Sequence, residues 1–120
     1  GHSFPTRRSS DLKNLTPSVI YGQPEIAWVG LREQDVDESY SISKLPITAL
    51  GKSWCDDATD GFIKIITKNN LIYGAHIISK EASSLIHILL TAIQNKITLS
   101  EIKEMCFAHP TYAEGIFELI

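Results

Sequence analysis

Two β-branched apolar runs, parted by three polar residues, constrain this chain more than any other feature. Phe62 to Thr67 and Leu71 to Ile78 are each long enough for a strand, and Lys68-Asn69-Asn70 lies between them. Asparagine tolerates positive φ, so Asn69-Asn70 suits the type I′ turn whose twist matches two antiparallel strands. A β-hairpin here puts an antiparallel sheet at the centre of the fold and obliges other apolar segments to cover it. Pro24 to Gly30 adds an extended run, with Ile26, Trp28 and Gly30 opposed to Ala27 and Val29. Tyr40 to Leu45 alternates in the same way, and Pro46 confines it to an edge or a strand end. Leu31 to Ser39 is charged, with a spacing that suits a short surface helix. Residues 51–61, rich in Gly, Asp and Ser, read as a loop.

The cover comes late in the chain. From Lys80 to Lys96, Ala82, Leu85, Ile86, Leu89, Ala92 and Ile93 fall on one helical face. Ile88 and Leu90 extend the apolar surface beyond what one sheet would cover. A second copy of the chain is the expected partner for that excess. Ser100 is placed to cap a following helix, in which Ile102, Met105 and Cys106 stand at helical spacing. His109-Pro110 interrupts it, and a last helix begins near Thr111. The order is strand, helix, strand, hairpin and three helices. This indicates an α+β fold, an antiparallel sheet with helices packed on one face.

Length and charge narrow the function. The chain has 120 residues, enough for one domain, and its 43% hydrophobic and 21% charged residues argue against disorder over the whole length. The net charge is −3, with +1 on residues 1–12 and −4 on the rest. A mildly acidic domain with scattered charges suits neither nucleic acid nor an anionic membrane surface, and no apolar run is long enough to span a bilayer. The two cysteines, Cys55 and Cys106, fit no zinc spacing. They are expected as reduced thiols in an ordinary core, in a cytosol-like compartment: bacterial cytoplasm, or alternatively the mitochondrial matrix. Residues 1–13 have no apolar period, and Phe4 to Leu12 resembles the translation of a sequencing-library adaptor. They are expected to be a non-native, disordered leader, with a genuine basic tail as the alternative. The domain is assigned to residues 14–120, as a fragment of a larger enzyme.

Chemistry concentrates near the C-terminus, in Cys106-Phe-Ala-His109-Pro110-Thr111-Tyr-Ala-Glu114. Imidazole titrates near neutrality, so His109 is a candidate general base. A carboxylate on its second nitrogen would fix its tautomer, and Glu114 is within reach if the chain turns at His109-Pro110. The competing reading is a capping box, Thr111-x-x-Glu114, with His109 a plain surface residue. Cys106-x-x-His109, with His76 and His87 elsewhere, falls short of a metal site. A Cys106-His109 nucleophile pair lacks any oxyanion signature. Asp56 and Asp57 beside Cys55 argue against a reactive thiol there. Trp28 and Trp54 read as core or interface anchors. No glycine-rich phosphate loop occurs.

These residues also resemble a family. Pro24-Glu-Ile-Ala-Trp-Val-Gly30, Asp60-Gly-Phe-Ile-Lys64, Gly74-Ala-His-Ile77 and Ala108-His-Pro-Thr-x-x-Glu114 follow, in order, the motifs of the C-terminal dimerisation domain of the pyridine nucleotide-disulphide oxidoreductases. The resemblance runs from about Thr16 to Leu119. Its ending is most similar to the dihydrolipoamide dehydrogenase branch, although glutathione and trypanothione reductases share H-P-T-x-x-E. Tyr112 and Ala113 depart from the small polar residues commoner between Thr and Glu.

The resemblance implies a homodimer whose FAD and NAD are bound mainly by domains outside this chain. His109 would reach the partner subunit's active site and deprotonate dihydrolipoamide, with Glu114 holding the imidazole. The thiolate would then attack the enzyme's disulfide, and electrons would pass through the flavin to NAD. His109 and Pro110, joined by a cis peptide, would lie against the flavin. The implied partner is the lipoyl domain of a 2-oxo acid dehydrogenase or glycine cleavage complex. The alternatives are a glutathione-reductase-like disulfide reductase and a non-catalytic homodimerisation module. The isolated domain is expected to be inactive.

Overall fold

The structure is a computed structural model that describes residues 15–120; the expected leader, residues 1–13, lies outside the described residues. Five antiparallel strands form one sheet in the order β1-β2-β5-β4-β3. They are β1 (Ser18–Ile20), β2 (Glu25–Gly30), β3 (Ser41–Pro46), β4 (Phe62–Lys68) and β5 (Leu71–Ser79). The β4–β5 hairpin is central, and Asn69 (φ 51°) and Asn70 (φ 66°) both adopt the left-handed conformation that a type I′ turn requires. β3 lies at the edge, ending on Pro46, where a missing N–H breaks no ladder. β2 pairs with β5 from Glu25↔Ser79 to Gly30↔Gly74. At the far end of that register the chain folds back tightly. Gly30 has φ +78°, and a Cβ there would come 2.3 Å from the Tyr73 carbonyl. This lets the Leu31 N–H reach that oxygen at 2.9 Å.

One face of the sheet carries Ala27, Val29, Ile63, Ile65, Ala75 and Ile77, all buried. Against it lies α2 (Ala82–Gln94), whose six buried residues are Ala82, Leu85, Ile86, Leu89, Ala92 and Ile93. The helix is shorter than the periodicity predicts. Its limits are set by backbone: Glu81 (φ 67°) and Lys96 (φ 51°) are both left-handed. At its end the Lys96 N–H bonds to Ile93 O at 3.3 Å and the Ile97 N–H to Ala92 O at 3.0 Å, the Schellman pattern with lysine in the usual glycine place. At its start, Glu25 of β2 accepts from the Ser83 N–H at 3.0 Å and from its hydroxyl at 2.7 Å. A carboxylate on first-turn donors also complements the helix dipole.

The remaining helices are single turns: α1 (Gly51–Cys55), α3 (Leu99–Lys103) and α4 (Glu114–Glu118). Their buried Ile102 and Ile116, with Ile47 and Leu50 before α1, join the same core as the sheet face. The result is an α+β domain with its helices on one side.

Several local expectations give way. Residues 51–55 are helical rather than loop, because Ile47 and Leu50 are buried and the Ser53 hydroxyl bonds to Leu50 O at 2.7 Å. Only Glu33–Asp35 forms a 3-10 turn in the expected surface helix. Met105 and Cys106 are exposed, since α3 ends at Lys103 with only Ile102 buried. Cys55 is exposed as well, so neither thiol is a core residue.

The cap of α3 is Thr98, not Ser100. Glu101 N–H donates to Thr98 Oγ1 at 3.1 Å, and Thr98 N–H donates to Glu101 Oε1 at 2.8 Å, a complete capping box. The adjacent Leu99 N–H bonds to Asn70 O at 2.9 Å, tying α3 to the hairpin turn. Thr98→Ala should therefore lower unfolding stability by about 1 kcal/mol, while Ser100→Ala should change it little. Urea titration followed by circular dichroism checks both.

Candidate functional site

The segment after α3 reverses direction between Ala108 and Thr111. The His109–Pro110 peptide is cis, and the Thr111 hydroxyl closes the reversal by donating to Ala108 O at 2.7 Å. With its hydroxyl so engaged, Thr111 caps no helix. The N-cap of α4 is Ala113, which makes no side-chain cap bond. The capping-box reading of Thr111 and Glu114 is thus not realised.

Glu114 instead faces the histidine. His109 Nδ1 lies 2.7 Å from Glu114 Oε1; the imidazole side chain is 76% exposed and the carboxylate side chain 16%. A carboxylate can only accept, so the shared proton belongs to Nδ1, and the lone pair of the neutral ring is then on Nε2. An imidazole anchored on one nitrogen and open on the other is arranged to take a proton from a group brought to it. Glu114 is held down because α4 sits close on the sheet: a Cβ on Gly115 would come 2.5 Å from Ile63 Cδ1.

Two residues that the spacing did not single out shape this site. Tyr112 is only 2% exposed, and its hydroxyl donates to Asp56 Oδ2 at 3.0 Å. Asp56 also meets Lys52 Nζ at 3.4 Å and Lys80 Nζ at 3.5 Å. Burial is the largest single influence on Asp56 and opposes its ionisation. The hydrogen bonds from Tyr112 and Lys52 and the charges of both lysines outweigh it and hold the carboxyl below its ordinary range. Burial first, and Asp56 second, push the Tyr112 phenol up to about 12. Donor and acceptor thus keep their forms throughout the neutral range. Asp56 lies 56 residues away in sequence, so no local spacing signals this pair.

The other candidates stay apart from the site. His87 is on the outer side of α2, with Nδ1 3.0 Å from Ser83 O. His76 is on the sheet face away from the helices, across from Trp28 and Lys64. Its Nδ1 is buried without a hydrogen-bond partner, and burial, then the charge of Lys64, lowers its pKa. Trp54 is 65% exposed, its indole N–H donating to Thr48 O at 2.9 Å. Among the described residues no group of three or more His, Cys, Asp or Glu gathers to hold a metal, and no helix is long and apolar enough to cross a membrane. A groove of about 790 Å³ opens between Pro24, Asp56–Asp60 and Lys80, Glu81, Ser83 and Ser84. Neither His109 nor Glu114 lines it, so proton chemistry is read from the exposed imidazole rather than from the groove.

Comparison with known proteins agrees with this architecture. The family described as pyridine nucleotide-disulphide oxidoreductase, dimerisation domain, matches residues 16–120. Mitochondrial dihydrolipoyl dehydrogenase of Sus scrofa is 36% identical over 110 residues, covering 88% of this chain and 22% of that protein. The Homo sapiens enzyme is 34% identical over the same shares. The chain thus spans about a fifth of the length of the curated relatives it matches. Among solved structures, LpdA from Mycobacterium tuberculosis superposes with a TM-score of 0.82 at 25% identity, over 87% of this chain and 24% of that one. The HOCl-induced flavoprotein disulfide reductase RclA from Escherichia coli superposes with a TM-score of 0.84 at 22% identity, over 94% and 27%; at that identity the likeness concerns the fold.

Proposed function

This chain belongs to the pyridine nucleotide-disulphide oxidoreductase family as a dimerisation domain, and from that premise we propose that it is the C-terminal domain of a dihydrolipoamide dehydrogenase. The observation that carries the reading is the 2.7 Å contact of His109 Nδ1 with Glu114, on an imidazole otherwise open to solvent. Relatives at 34–36% identity that are dihydrolipoyl dehydrogenases support the choice of branch.

In the assembled enzyme, two copies pair, and His109 of one subunit faces the dithiol bound at the other. The thiol S–H bond breaks, and the proton passes to Nε2. The imidazolium that forms is stabilised by the Glu114 carboxylate across Nδ1–H, as in other carboxylate-oriented bases. The thiolate left behind is the species competent for disulfide exchange. The described residues carry no glycine-rich phosphate cradle, so FAD and NAD would be held by sequence outside this chain. His109 and Pro110 would contribute only a contact at the partner's flavin. When bound, the flavin supplies the electron transfer to NAD that no side chain of this domain can perform. The lipoyl domain of a 2-oxo acid dehydrogenase or glycine cleavage complex presents the substrate, in the bacterial cytoplasm or the mitochondrial matrix. Residues 1–13 are a leader foreign to the enzyme, and the isolated domain, 14–120, is without turnover.

Substrate preference of the complete enzyme tests the reading. It should oxidise dihydrolipoyl protein with NAD and leave glutathione disulfide unreduced with reduced nicotinamide as donor. The opposite preference would move the chain to the disulfide-reductase branch. Turnover of neither would leave it a dimerisation module.

A further inference from the structure

We propose that Tyr112, bonded to Asp56, is a positioning residue that sets where the His109–Glu114 pair stands; the inference rests on the proposed base role of that pair. Within the C-terminal segment the Thr111–Ala108 bond closes the turn but does not tie it to the rest of the domain. His109 is on the surface, α4 is a single turn, and its N-cap makes no side-chain bond. Tyr112 lies between the two residues and is the one large side chain of the motif buried in the core. Its hydroxyl crosses 56 residues of sequence to reach Asp56 at 3.0 Å.

Asp56 is itself fixed. It is the C-cap of α1, its N–H bonds to Lys52 O at 3.0 Å, and its carboxylate meets ammonium groups from Lys52 and from Lys80. The other end of α1 approaches the base: a Cβ on Gly51 would stand 3.8 Å from His109 Cε1. The motif therefore lies along one short helix, with the imidazole near its start and the phenol bonded at its end. A turn of helix is a rigid spacer of about 1.5 Å per residue. Sliding or rotating the His-Glu segment on it would break the phenol–carboxylate bond, which joins a phenol rooted in the core to a part-buried carboxylate at the groove's edge.

The test separates this role from mere filling of the core. Two-bond proton–nitrogen correlation spectra of the full chain, recorded with the imidazoles neutral, report the tautomer of His109. In the parent chain the Nδ1–H form should dominate. Tyr112→Phe keeps the ring and deletes the bond, and the Nδ1–H to Nε2–H ratio should fall several-fold while the fold persists by circular dichroism. Asp56→Ala removes the acceptor with Tyr112 in place and should give the same fall, so the bond can be read even if Tyr112→Phe does not fold. Asp56→Asn, which keeps an accepting oxygen, should restore the ratio. Glu114→Ala, which removes the acceptor, provides the reference: an unchanged ratio there would defeat the His-Glu reading itself. A ratio that falls for Glu114→Ala but holds in the folded Tyr112→Phe or Asp56→Ala chain would overturn the positioning role alone.

Discussion

His109→Gln in the complete enzyme should slow the dithiol half-reaction by ~10²–10⁴-fold, the range lost with a general base. At 1.36 kcal/mol per decade this is about 3–5 kcal/mol of barrier. Glutamine offers an amide of similar reach that neither takes up a proton nor releases one at neutral pH, so the loss falls on proton transfer rather than on shape. The ring is 76% exposed and outside the core, so the fold of the domain should be preserved. Rapid mixing of oxidised enzyme with dihydrolipoamide gives the rate of the half-reaction directly, without steps that follow reduction. The pH profile of kcat/KM gives a second signature: the limb that belongs to the imidazole should vanish in the variant. A variant as fast as the parent, with the same profile, would remove His109 from the mechanism and leave its contact with Glu114 a surface ion pair.

Legibility in the sequence followed the range of the interaction that decides each element. The β4–β5 hairpin was readable because an Asn-Asn turn and two β-branched runs are local, and Asn69 and Asn70 take the φ values their chemistry favours. The inner face of α2 was readable for the same reason, since its period of apolar residues is its burial pattern. α1 was not. Gly-Lys-Ser-Trp-Cys carries weak helical preference, and the turn forms because Ile47 and Leu50 are pulled into the core on either side of Thr48-Ala49. β1, three residues long, has too little alternation to announce itself and exists through its pairing with β2. At the site, the sequence spacing admitted two partners for Glu114: the first turn of a helix, or His109. The choice depends on how the chain reverses at residues 108–111, where Thr111 turns its hydroxyl to Ala108 and Tyr112 sinks beside Asp56. No window of sequence around Glu114 contains Asp56.

Leu89→Ala and Ile88→Ala should differ sharply although the residues are neighbours on α2. Leu89 is fully buried against the sheet, and Ile88 is 39% exposed on the other side of the helix. Truncating Leu89 removes buried methyl groups and leaves a void that the strands beneath can only partly close. The expected loss is ~2–5 kcal/mol, a large share of the ~5–15 kcal/mol typical of a whole domain. Ile88→Ala deletes apolar surface that water already reaches, so in dilute chain its effect should stay within ~0.5 kcal/mol. Self-association changes the second comparison but not the first. If the outer side of α2 pairs with its copy, raising the protein concentration should stabilise the parent chain by mass action. Ile88→Ala should blunt that gain, while Leu89→Ala should lower stability at every concentration. Urea unfolding across a concentration series, with sedimentation velocity on the same samples, reads both effects. Equal losses for the two variants in dilute chain would mean that Ile88 packs against the domain's own core. The outer side of α2 would then be no interface, and the apolar excess along that helix would have to be covered from within one chain.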